Sequence, residues 1–114
     1  MTEAWIIDAC RTPRGIGKVG RGALTEIHPQ RLGSTVLKAL AERNNINTAD
    51  VADIIWGCNL QRGPNGNDMG RMSALDAGLR YHLQWCHLWI ASAALVLPQS
   101  IWLRPPLCLV WKIW

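Results

Sequence analysis

The sequence predicts an α/β fold that opens with a strand, a crossover helix and a second strand. Three observations carry this. Ala4 to Ala9 (AWIIDA) is a short, apolar, β-branched run that ends against the breaker-rich stretch RTPRGIGKVGRG. Apolar residues then recur at helical spacing after Pro29, and IIWGC (Ile54 to Cys58) forms a second strand-like run. Strand, helix and strand in that order form a βαβ unit, whose strands are parallel and expected to be buried on both faces.

Each element has its own local cause. Pro29 suits the first position of a helix, because the N–H it lacks is one the helix would leave unpaired. Leu32, Val36, Leu37, Leu40 and Ala41 make the inward face, while Gln30, Arg31, Lys38, Glu42 and Arg43 face out. Asn44 and Asn45 are the expected stop, since Asn tolerates the left-handed conformation. A short capped turn at Asn47 to Asp50 leads into the strand. The loop QRGPNGNDMGR follows, and RMSALDAG begins another helix.

The composition divides the chain in two after Gly78. The first part has nine Lys/Arg, eight Asp/Glu and all ten Gly; the last thirty-six residues hold three Lys/Arg, no acid, eight Leu and five of the seven Trp. Residues 1–78 are therefore one unit and 79–114 another, the second expected to be poorly ordered or helical. The net charge of +4 forms no basic stripe with interleaved aromatics, so no nucleic-acid footprint is expected. Cys10, Cys58, Cys86 and Cys108 fall at wide, irregular spacings, and the opening MTEAWIIDAC has no basic region before a long apolar stretch. Both features point to a reducing, cytoplasmic setting rather than a disulfide framework.

Several motifs invite chemistry. Gly15, Gly17 and Gly20 spell GxGxxG, but the next helix waits until Pro29, so no helix N-terminus reaches a pyrophosphate held there, and the string reads as a surface loop. It also lacks the Gly-Lys-Ser/Thr ending of a phosphate-binding loop. His28 reads as a capping or solvated residue at the helix mouth, and Cys10 and Cys58 as small apolar residues at strand ends. His82, Cys86 and His87 offer a thiol and imidazoles one helical turn apart, yet no fourth ligand or carboxylate supports a metal site. No catalytic, cofactor-binding or metal-binding residue is assigned.

The strings IIDACRTPRGIGKVGRGAL, HPQRLGSTVLKALAERN and DVADIIWGCNLQRGPNGNDMGRMSALDAG resemble, in order and spacing, the opening of a thiolase, the acetyl-CoA acetyltransferase family. The resemblance covers residues 1–78. It implies the βαβ start of the N-terminal half of the thiolase fold, acyl transfer between coenzyme A thioesters through an acyl-cysteine, and a homo-oligomer for the intact family, with Gln61 to Arg71 near the subunit contact. Coenzyme A thioesters are then substrates of the parent, and no cofactor is expected on this chain. The family's nucleophile follows Ala77–Gly78 in a Cys-Gly-Ser-Gly context at a helix N-terminus, which lowers a thiol's pKa. This chain lacks that string, and Cys86 does not replace it. The chain as it stands is therefore expected to be inactive.

A shifted reading frame accounts for the tail. Each residue fixes mostly the first two bases of its codon, so another frame can borrow the loose third base. One shift near Leu79 lets Tyr81 to His87 encode a stretch like Asp-Ile-Thr-Ser-Ser-Gly-Val-Thr. A second near Leu88 or Trp89 lets the following residues encode Asp-Arg-Phe-Cys-Gly-Ser-Gly, the cysteine codon straddling Ser92 and Ala93. The expectation is a thiolase gene scrambled after Gly78 by two single-base insertions. The rival reading is a small membrane-associated protein that keeps a thiolase-like start and uses its Trp-rich tail, including LWIASAALVL, as an anchor.

Overall fold

The computed structural model describes residues 5–51, 53–58, 60–79, 86–90 and 108–112. Helix α1 spans Pro29–Arg43, strand β1 Asp53–Cys58, helix α2 Met69–Asp76, strand β2 Cys86–Ile90 and strand β3 Cys108–Lys112. Single 3-10 turns at Thr48–Asp50 and Gly63–Asn65 flank β1. The three strands form one parallel sheet in the order β2-β1-β3.

Both helices are closed by the same device. Asn45 (φ 50°) follows the C-cap of α1, and its N–H donates to the Glu42 carbonyl while that of Ile46 donates to Ala41. At the end of α2, Gly78 (φ +73°) donates to Leu75 and Leu79 to Ala74. These are Schellman closures, which pair carbonyls that a helix end otherwise leaves open. The second is sealed by the apolar contact such closures attract, with Leu79 and Ala74 both buried in the core. At its other end α1 is capped by His28, whose Nδ1 accepts from the Gln30 N–H at 3.2 Å.

The core gathers Leu37 of α1, Val51, Ile54, Trp56 and Cys58 of β1, Met69 and Ala74 of α2, and Leu79. Both helices thus lie on the face of β1 that carries Ile54, Trp56 and Cys58. Burial alternates along β1, with Asp53, Ile55 and Gly57 only half-buried. The strand is covered on one face, not on both as expected of a parallel sheet.

A further expectation needs correction. Ala4 lies outside the described residues, and Trp5 to Ala9 form no strand; Trp5, Ile6 and Ile7 are 78%, 80% and 58% exposed. The reason is occupancy: β1 already has β2 on one side and β3 on the other. The tail, expected to be poorly ordered or helical, falls mostly outside the described residues, which within it form strand at Cys86–Ile90 and Cys108–Lys112. Among the described residues no helix is long and apolar enough to cross a membrane. Most of LWIASAALVL falls outside them, its first three residues being the end of β2.

Candidate functional site

The glycine motif Gly15 to Gly20 lies in an exposed loop, pinched by a turn in which the Arg21 N–H donates to the Lys18 carbonyl at 3.1 Å. Gly20 adopts φ +74°, a conformation that suits glycine. Helix α1 begins nine residues later, so the helix-mouth geometry that a pyrophosphate needs does not arise.

Cys10 is half-buried beside α1, its Sγ 3.7 Å from the Val36 carbonyl that accepts from it. Burial pushes this thiol above its ordinary value, and the Asp8 carboxylate adds to the push while Arg43 opposes it. A thiol held protonated is a poor nucleophile. Cys58, buried at the end of β1, donates to the Leu60 carbonyl at 3.5 Å. The His28 imidazole is engaged in capping α1, its Nδ1 accepting from the Gln30 N–H. His82 lies outside the described residues, and Cys86 and His87 are successive residues of β2 rather than a helical pair.

Two polar clusters were not anticipated. Asp8 accepts from Asn44 Nδ2 at 2.9 Å and faces Arg43 Nη2 at 3.4 Å, tying the N-terminal segment to the end of α1. The Asn44 hydrogen bond, aided by the Ala9 N–H at 2.7 Å and by Arg43, holds the Asp8 carboxyl below its ordinary range. In the second, the buried Ser34 hydroxyl donates to Asp76 Oδ2 at 2.5 Å, and Arg31 Nη1 lies 3.7 Å from Asp76 Oδ1. An aspartate on the last residue of α2 faces the negative end of the helix dipole, so it needs such partners. That misplaced charge was the available signal in the sequence. Both clusters clamp elements together; neither places a nucleophile beside a base.

A family model described as "Thiolase, N-terminal domain" matches residues 4–88. The chain is 45% identical over 80 residues to a β-ketoadipyl-CoA thiolase of Acinetobacter baylyi, covering 69% of this chain and 19% of that protein. It is 45% identical over 78 residues to a steroid 3-ketoacyl-CoA thiolase of Mycobacterium tuberculosis, covering 68% and 18%. A 3-ketoacyl-CoA thiolase of a Marinomonas species is 40% identical over 75 residues, covering 65% and 19%. The chain belongs to the thiolase family. It spans about a fifth of the length of these relatives. The family match passes Gly78 and runs through the first three residues of β2.

Proposed function

We propose that this chain is the N-terminal portion of an acyltransferase that moves acyl groups between coenzyme A thioesters through an acyl-cysteine, and that its 114 residues do not perform the reaction by themselves. The match over residues 4–88 carries the first statement. The second is supported by the two described thiols in the first unit, Cys10 with its pKa raised by burial and Cys58 buried, neither hydrogen-bonded to an imidazole among the described residues. A covalent mechanism without its nucleophile fails outright rather than slowing, because every turnover passes through the acyl-enzyme. The substrate class is an acyl-CoA thioester, as the relatives' names suggest, and the compartment proposed is the cytoplasm. Homo-oligomerisation is proposed for the intact parent alone.

The tail from Leu79 onward is read as the product of two single-base insertions that hide a Cys-Gly-Ser-Gly string across Ser92 and Ala93. Resequencing the coding DNA from Asp76 to Ala94 tests this. One extra base on each side of the His82 to His87 codons, with the corrected frame reading Cys-Gly-Ser-Gly, is the expected result. An unbroken frame with no such string in the DNA makes the tail genuine and overturns the reading. Assay of the chain as given for acyl-CoA thiolysis is expected to give no turnover; measurable turnover refutes the inactivity.

A further inference from the structure

The glycine-rich loop between Cys10 and α1 holds no nucleotide, and its tip has a definite shape. Gly22 backs onto the Ile16 carbonyl with no room for a β-carbon between them, which pinches the base of the loop. Above that pinch the Arg21 N–H donates to the Lys18 carbonyl across a turn centred on Val19 and Gly20, and the left-handed Gly20 lets the chain reverse there. A β-carbon at Gly17 or at Gly20 would meet nothing within 4 Å, so the tip stands clear of the other described residues.

Two kinds of side chain share this loop. Val19 is 94% exposed and Ile16 70%, although both are apolar. Arg11, Arg14, Lys18 and Arg21 are exposed cations, and none of them forms an ion pair with a described residue. Glu26 is the one acid from Arg11 to Ile27, so four positive charges face one negative charge over that stretch. Lys18 and Arg21 sit at the two corners of the turn, with Val19 between them.

Water solvates the cations but leaves Val19 and Ile16 uncovered, and a small soluble anion does no better. A surface that is anionic at its headgroups and apolar just beneath them suits both kinds of side chain at once. We propose that residues 11–21 are a peripheral contact for an anionic lipid surface, with Val19 and Ile16 entering the boundary between headgroups and acyl chains while the four cations hold the headgroups. Such a contact lies on the membrane and needs no spanning helix, and none is found among the described residues. It is independent of the acyl-transfer reading, because the loop supplies no group to that chemistry.

Flotation of the full chain with vesicles of equimolar phosphatidylserine and phosphatidylcholine tests this, because aggregated protein does not float. The chain is expected to rise with these vesicles, to stay behind with phosphatidylcholine alone, and to detach as salt is added, since salt screens exposed charges. Each basic residue near an anionic surface strengthens binding about fivefold, so Lys18→Gln/Arg21→Gln should weaken it roughly 25-fold. Val19→Ser should weaken it several-fold with every charge kept. Both changes fall on exposed side chains, so amide exchange at Leu37 and Trp56 should match that of the unaltered chain. Absence of flotation, equal flotation with neutral vesicles, or binding that survives both variants and so belongs to another segment, each overturns the proposal. Retention of soluble polyphosphate without flotation assigns the cations to an acidic macromolecule and also overturns it.

Discussion

Gly33 lies directly against Trp56: a β-carbon at position 33 would come within 2.7 Å of Trp56 Cη2 and 2.5 Å of Ser73 Oγ. The Trp56 side chain is fully buried, and Ser73 is buried with its hydroxyl donating to the Gln30 carbonyl. Helix and strand approach this closely only because the helix offers a hydrogen atom there. Elsewhere in an exposed helix, Gly→Ala stabilises by about 1 kcal/mol.

Gly33→Ala is therefore expected to destabilise despite its helix propensity. Overpacking typically costs about 1 to 3 kcal/mol, and Trp56 has no room to retreat. Amide exchange at Leu37 and Leu40 should accelerate at least several-fold. Gly17→Ala is the control, with nothing within 4 Å of its added methyl group. Equal behaviour of the two variants would remove the close approach from the account of the core.

The Ser34–Asp76 bond locks α1 to α2 at a site shielded on one side. Hydrogen bonds to charged groups contribute roughly 1.5 to 3 kcal/mol, and partial exposure of Asp76 (19%) places this one toward the lower end. Ser34→Ala and Asp76→Ala should each loosen the helix pair, with a coupling of about 1 kcal/mol in the double-mutant cycle. Arg31→Ala should matter less, because that side chain is 72% exposed and surface ion pairs are weak. Additive effects of Ser34→Ala and Asp76→Ala would contradict the lock.

Asp8 sets a pH dependence of known sign. Its folded-state pKa lies below the ordinary 3.8, so its contribution is complete well above 3.8 and is lost as pH falls through the lowered value. Exchange at the Ala9 and Cys10 amides, followed from pH 6 downward after correction for intrinsic rates, should stay constant to about pH 5 and rise only in strong acid. Asp8→Asn should flatten that profile. A rise between pH 5 and 7 would point to another group.

Cys10 should alkylate more slowly at pH 7 than a free cysteine, because burial raises its pKa and its Sγ is half-covered. Its rate should climb as pH is raised past 9. Rapid labelling at neutral pH would mean that the thiol is activated, and would reopen the question of catalysis at this position.

Much of the helical structure was readable in advance because its causes are local. Pro29 and His28 start α1, and Asn45 takes the left-handed position that ends it. The β1 run was equally plain. Strand formation by Trp5 to Ala9 was not decidable from its own residues, because a strand exists only if a partner has a free edge. Nor did anything in CHLWI or CLVWK announce strands, since apolar runs of that length read as helix or strand alike. The clamps went unseen for a related reason: Asp8 meets Asn44 thirty-six positions away, and Ser34 meets Asp76 across forty-two.

The sheet order also fixes a sequence of events in time. During synthesis, residues through Cys58 emerge before any of β3 exists, and about fifty residues separate the two strands. At roughly 5 to 20 residues per second, β1 waits on the order of 2.5 to 10 s for that partner. Helix formation and local docking finish within microseconds to milliseconds. The nascent chain thus holds that edge of β1 unpaired until Cys108–Lys112 arrives, so the β3 side of the sheet is the last to close.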